Sequence, residues 1–308
     1  MNDPNEQPLP PDSLRASASP RDISAGVPLE APMPRLPPRA ADAHKGTFGT
    51  ALIVGGSRGM TGAVTIAGMA ALRGGAGLVR LAVAAGCLDV VAGFEPSYMT
   101  AALPEDNTGR ISARAYARIV KLAESATVVA CGPGLGRSPG LEQLVVRLYR
   151  EMAKPMVIDA DALNALSKHP DALANSGGSR ILTPHPGEFA RLIGKKLDGQ
   201  AREAAAVELA GRCGLVVVLK GHRTLITDGV RQSHNSTGNP GMATGGSGDA
   251  LTGLVTALAC QGLPTYEAAR LGVHLHGLAG DLAAAELGQV SMIASDLIRF
   301  LPKAFQAV

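Results

Sequence analysis

The 308-residue chain contains no tryptophan, and aromatic residues make up only 3% of it. Its core must therefore be assembled from Ala, Val, Leu and Ile. The same scarcity removes the stacking platforms on which single-stranded nucleic acid is held. No block of Lys or Arg compensates, and a formal charge of +3 is small for this length, so nucleic acid is not expected as a partner. Cys87, Cys131, Cys213 and Cys260 are scattered without a CxxC pair. Zinc sites and disulfide frameworks are thus unsupported, and the four read as small buried hydrophobes. No apolar run reaches about 18 residues without a charge or a glycine cluster, so no membrane span is expected. The start of the chain is acidic and proline-laden, unlike a secretory signal, and the expected location is cytoplasmic. GxxxxGK[ST] and HExxH are both missing, which argues against a P-loop NTPase and a zinc protease.

What is present is an apolar fraction of 46% against 18% charged residues, the balance of a globular protein with a substantial core. Residues 1–40 stand apart, with ten of the 21 prolines and no aromatic residue. They are expected to form a disordered proline-rich tail that docks through Leu36-Pro37-Pro38-Arg39, leaving 41–308 as the domain. From Ala51 onward strand and helix signals alternate. Strands are expected over 51–56, 78–83, 127–131, 155–158, 180–182 and 215–219. Helices are expected over 62–73, 111–123, 141–152, 162–166 and 200–212. A hairpin at Asp228-Gly229 follows, then helices over 250–260 and 266–286 and a short C-terminal helix. Such a run of βα units predicts a three-layer α/β/α domain with a mostly parallel central sheet. The glycines of GGSRGMTGA, at 55, 56, 59 and 62, do not have GxGxxG spacing, and no acidic residue stands about twenty positions on. A Rossmann dinucleotide site is therefore not expected.

The chemistry gathers around NSTGNPGMATGGSGDALTG, residues 235–253. The glycine-rich turn Gly245-Gly246-Ser247-Gly248 opens a helix, where bare backbone N–H groups and the positive end of the helix dipole form an anion hole. Asp249 at that mouth is placed to take a proton from a hydroxyl beside a bound phosphate. The plainer alternative is an ordinary first-turn charge. Other unusual loops also follow strands: Gly132–Gly136, Asp159–Asp161, Thr183–Glu188 and Lys220–Thr224. In open α/β sheets these converge at the carboxyl edge. His185 is fixed between two prolines, and Glu188 either favours the helix start or orders water or Mg²⁺ near phosphates. Lys220 ends a buried strand, where a charge is costly unless it is paired with an anion or reaches solvent, and a nucleotide phosphate or ribose would account for the Lys220–Thr224 loop. Asp159 and Asp161 read as caps of the next helix rather than as cation ligands.

Gly245–Asp249 resembles the anion hole and catalytic aspartate of the ribokinase-like superfamily. More narrowly, HKGTFGTALIVGG, GAVTIAGMAALRGGAGLVRL, CGPGLG, VIDADALNAL, LTPHPGEFARL, LKGHRTLITDG and the 235–253 stretch resemble the ADP-dependent NAD(P)H-hydrate dehydratases, in order over roughly residues 36–300. That resemblance implies a repair enzyme, which dehydrates the S epimer of hydrated NADH or NADPH at the expense of ADP, with Mg²⁺. It implies that Ala63, Gly134, His185 and Asp249 contact the hydrated dinucleotide, and that Lys220, Gly221, His222, Arg223, Thr224 and Gly248 hold the adenine nucleotide. It further implies a homotetramer and an epimerase on a separate chain. The competing expectation is a ribokinase-like kinase that phosphorylates a small alcohol, such as a vitamin precursor, with ATP.

Overall fold

A computed structural model describes residues 32–308, of which Met33–Val308 form one compact unit. Residues 1–31, most of the expected tail, lie outside the described residues. The chain runs β1 (Thr50–Val54), α1 (Thr61–Arg73), β2 (Leu78–Ala84), α2 (Leu88–Ala92), β3 (Met99–Leu103), α3 (Tyr116–Ala123), β4 (Val128–Cys131) and α4 (Pro139–Glu151). It continues through β5 (Met156–Ile158), α5 (Ala160–Leu166), β6 (Arg180–Leu182), α6 (Pro186–Leu192), α7 (Gly199–Cys213) and β7 (Val216–Leu219). The hairpin β8 (Leu225–Thr227) and β9 (Gln232–His234) precedes α8 (Ser247–Cys260), α9 (Thr265–Leu287) and α10 (Ala294–Gln306). The nine strands pair in the order 3-2-1-4-5-6-7-8-9. All neighbours are parallel up to β7, and β7–β8 and β8–β9 are antiparallel. This is the expected three-layer, mostly parallel α/β/α fold.

Each strand feeds two cores because successive side chains face opposite ways. Ala51, Ile53, Val128, Ala130, Val216 and Val218 pack with α1, α8, α9 and α10 on one face. Leu52, Val54, Val129, Cys131, Val217 and Leu219 pack with α3 to α7 on the other. Small residues let α1 and α8 approach closely: a Cβ on Gly253 would collide with the carbonyl of Ala67. Cys87, Cys131 and Cys260 are buried and Cys213 half-buried, all as free thiols.

Two departures from the expected elements have local causes. MTAAL forms the edge strand β3, although only one of its residues is β-branched, because its backbone pairs along β2. Pairing along an edge needs little side-chain signal. The helix expected over 111–123 begins only at Tyr116. Upstream, Asp106 Oδ1 accepts the N–H groups of Thr108 and Arg110 at 2.8 and 3.1 Å, closing a turn that pairs Glu105 with Ile111. A helix could not share those residues. At the far end of the chain's first described segment, Arg39 donates to the Gly75 carbonyl at 3.0 Å and covers the Phe48 ring at 3.8 Å.

Candidate active site

The strand order reverses between β1 and β4, so the loops leaving these two strands part and leave a crevice at the carboxyl edge. They are sewn together beneath it. Gly56 and Ser57 donate their N–H groups to the carbonyls of Pro133 and Gly134 at 3.0 and 2.8 Å, and the buried Ser57 hydroxyl donates to the Leu135 carbonyl at 2.6 Å. This seats Gly134 against Met60 and Ala63: a Cβ there would meet the Met60 carbonyl and lie 3.1 Å from the Ala63 methyl. Ala63 and Gly134 thus share one wall.

At the end of β5, Asp159 is 1% exposed. The expectation that it caps α5 is wrong, since its side chain makes no bond to that helix. Its Oδ1 accepts Lys220 Nζ at 2.8 Å and its Oδ2 accepts the Thr252 hydroxyl of α8 at 2.8 Å. A buried carboxylate with a cation in reach gains more from that charge than from backbone amides. Asp161 also does not cap in the expected sense. It reaches across to the Gly136 N–H at 2.9 Å and Arg137 at 3.3 Å. Ala160 between them takes a left-handed backbone, φ 48°, a strained conformation for a residue with a Cβ.

The anion that Lys220 called for is therefore built into the protein. Besides Asp159, Glu188 Oε2 lies 3.7 Å from Nζ. Burial works against the Lys220 charge, but Asp159 and Glu188 outweigh it and hold its pKa above the usual lysine range. Glu188 is the reciprocal partner in a capping box: its carboxylate accepts the His185 N–H at 2.8 Å, while His185 Nδ1 accepts the N–H groups of Gly187 and Glu188 at 3.0 and 3.4 Å. Since Nδ1 accepts, the proton of the neutral ring sits on Nε2. Burial, with Lys220 and Arg191 nearby, keeps His185 below its ordinary pKa and so neutral. Glu188 is thus committed on both sides. Among the described residues no group of three or more His, Cys, Asp or Glu forms a metal cage.

The glycine turn arrives beside this cluster. Gly246, at φ 93°, is the N-cap of α8 and has no side chain to occupy the first-turn N–H groups. Gly248 leaves room for its neighbours: a Cβ would lie 3.2 Å from Lys220 Nζ and 3.7 Å from Asp159 Oδ2. Burial first, and then the adjacent Asp159, push the Asp249 carboxyl up to about 7, although Lys220 pulls the other way. A carboxyl balanced near neutrality is suited to accept a proton at physiological pH. The Lys220–Thr224 loop closes on itself, with Thr224 Oγ1 bonded to the Gly221 carbonyl at 3.0 Å. Gly221, His222 and Arg223 are exposed along it. The structure thus gathers Asp249, Gly248, Lys220, His185 and Glu188, with Ala63 and Gly134 across the crevice. His222 and Arg223 make no hydrogen bond or ion pair to the cluster.

Several contributors have no local signature in the sequence. Asp159 and Thr252 meet Lys220 and each other only through the fold. His276, on α9, places Nε2 2.9 Å from the Ser247 carbonyl. Facing a carbonyl it donates, and burial pushes its pKa down to about 4, so the neutral Nε2–H form is the one present. Asp281, one turn further, accepts the Gly238 N–H at 2.8 Å and the Asn239 side chain at 3.0 Å. Helix α9 therefore clamps the approach to the glycine turn. Their one trace in the sequence is a histidine and an aspartate within the same long helix, α9. A cavity of about 560 Å³ lies elsewhere, at the amino edge of the sheet beside Arg39, Phe48 and Phe305. It touches none of these groups.

An uncapped glycine turn carrying an acid, at the carboxyl edge of a parallel sheet that ends in an antiparallel hairpin, defines the ribokinase-like class. The comparisons narrow it. Residues 51–303 match the family model described as NAD(P)H-hydrate dehydratase, and the chain belongs to that family. It is 47% identical over 272 residues to a bifunctional NAD(P)H-hydrate repair enzyme of Moorella thermoacetica, covering 87% of this chain and 51% of that one. To the ADP-dependent (S)-NAD(P)H-hydrate dehydratase of Neisseria meningitidis it is 41% identical, covering 81% of this chain and 82% of the relative. It superposes with a TM-score of 0.74, at 31% identity, on the ADP/ATP-dependent NAD(P)H-hydrate dehydratase of Bacillus subtilis co-crystallised with ATP/Mg²⁺, covering 88% and 94% of the two chains. The chain spans about half the length of the bifunctional relatives it matches.

Proposed function

We propose that this chain dehydrates the S epimer of hydrated NADH or NADPH, consuming ADP and releasing AMP and phosphate. The observation that carries the reading is Asp249, held near neutrality at an uncapped helix mouth and within the field of Lys220. The hydrated ring sits between Ala63 and Gly134 on one side and His185 and Asp249 on the other. The nucleotide lies along Lys220–Thr224 with its phosphates at Gly245–Gly248. Asp249 takes the proton of the ring hydroxyl, whose oxygen attacks the terminal phosphorus of ADP. The bond to the bridging oxygen breaks and AMP leaves. First-turn N–H groups and Lys220 stabilise the charge on the transferring group. Phosphate then departs from the ring with its electron pair while a neighbouring ring proton is lost, and the double bond is restored.

Magnesium usually joins such reactions through phosphate oxygens and one or two carboxylates. Glu188, already shared between His185 and Lys220, is a poor fit as its ligand. No step is assigned to the ion, which would arrive on the nucleotide. The Ala-rich helices are proposed to bury subunit contacts in a homotetramer, which sedimentation would measure, and the reaction is proposed to take place in the cytoplasm. Incubation with hydrated NADPH and ADP should restore NADPH absorbance, with one AMP and one phosphate formed per turnover. No recovery with either ADP or ATP would overturn the reading in favour of a small-alcohol kinase.

A further inference from the structure

A cavity of about 120 Å³ lies among the β4 loop, α4, α5 and α6, lined by Gly136, Arg137, Glu142, Asp161, Lys168 and Arg191 among others. The same β4 loop presents Gly134, and His185 caps α6. Arg191 is set there by a relay: its Nε donates to Asn164 Oδ1 at 2.8 Å, Asn164 donates to Asp161 at 3.4 Å, and Asp161 accepts the Gly136 N–H at 2.9 Å. That chain of bonds uses one edge of the guanidinium and leaves its two Nη groups for a ligand. Arg137 and Lys168, 65% and 60% exposed, extend the positive rim. Three cations line the cavity against the carboxylates of Asp161 and Glu142.

We infer that this cavity is a phosphate subsite for the hydrated dinucleotide, with Arg191 as its main donor and Arg137 and Lys168 at its rim. The inference rests on the proposed function and extends it to the part of the substrate remote from the ring. ADP occupies the β7–β8 side, against the glycine turn of α8. A ring held between Gly134 and His185 must send the rest of its dinucleotide elsewhere, and that remainder carries a pyrophosphate and, in NADPH, a further phosphate. The α5–α6 side is positive, and its Gly136 and Arg191 stand on the loop of Gly134 and on the helix that His185 caps. A guanidinium fork suits a phosphate better than an ammonium does.

The test compares Arg191→Gln and Arg137→Gln with the unaltered protein, using hydrated NADH, hydrated NADPH, the hydrated mononucleotide and ADP. Arg191→Gln should raise KM for the hydrated dinucleotides roughly tenfold, the loss expected of one charge-assisted bond. KM for ADP should stay within about twofold of its starting value, because the nucleotide loop is untouched. Arg191→Lys should recover part of the loss, and Arg137→Gln should give a smaller rise. A rise with both dinucleotides assigns the pyrophosphate, and a rise with hydrated NADPH alone assigns its additional phosphate; either supports the subsite. An unchanged KM for both dinucleotides, or an equal rise for the mononucleotide and for ADP, would overturn it. Absence of turnover in the unaltered protein would strike instead at the function on which the inference rests.

Discussion

Asp249 carries two opposing demands. A base must be ionised, yet burial and Asp159 favour its neutral form and place the carboxyl at about 7. The acid limb of kcat/KM should therefore fall with an apparent pKa near 7, with activity rising as pH increases through that value. Asp249→Asn should lose nearly all turnover while still binding ADP by calorimetry. It should also be the more stable protein at pH 8. A carboxyl whose pKa is raised on folding contributes its stability below the unfolded value of 3.8 and loses it as pH rises through about 7. Thermal melts should thus show a higher Tm for the variant at pH 8 and no difference below about pH 4. Lys220 presents the reverse case. Lys220→Met leaves Asp159 and Glu188 facing each other without a cation, which should destabilise the fold by roughly 3–5 kcal/mol in urea titrations. Adding Asp159→Asn should recover part of that loss, since the buried charge goes with it.

The elements show why the glycine turn needs support. A left-handed N-cap at φ 93° with no capping side chain is a flexible start for a helix. Helix α9 supplies the missing restraint through the bond from His276 to the Ser247 carbonyl and through Asp281 on the preceding loop. His276→Leu should lower kcat by roughly ten- to a hundredfold, the cost of a misplaced catalytic group. His276→Gln, which keeps a donor near the Nε2 position, should retain most activity. Equal losses in the two variants, followed by the NADPH absorbance assay, would show that bulk and not the donor matters. Much of this site was legible in the sequence because its parts are local: a glycine turn before a helix, a histidine between prolines, a lysine at the end of a β-branched run. Asp159 was misread because its partners, Lys220 and Thr252, stand 61 and 93 residues away. No spacing rule connects them. β3 was missed for a related reason, since pairing with β2 rather than its own composition makes it a strand.

At the scale of the whole molecule, α8 runs from the site to the opposite edge of the sheet. Its first turn faces the proposed nucleotide site, and its far end is anchored where Gln261 donates to the carbonyls of Gly74 and Ala257 at 2.8 and 3.0 Å. Arg39 reaches the same corner through Gly75. The proposed contacts come from α1, the loops after β4, β6 and β7, and α8, so binding there would tie together both helical layers and the sheet between them. Stabilisation by ADP should accordingly appear in a single transition of the residues 33–308 unit and not as the ordering of one loop. At a hundred times its Kd, ADP adds about 2.7 kcal/mol, which corresponds to a Tm rise of roughly 5 °C for a domain of this size. Lys220→Met should lose most of that rise. Arg39→Ala, which loosens only the distant corner, should lower the starting Tm slightly and keep the full increment. If Arg39→Ala also abolished the increment, the two edges would be coupled through α8, and the nucleotide site could no longer be treated as a local property of the carboxyl edge.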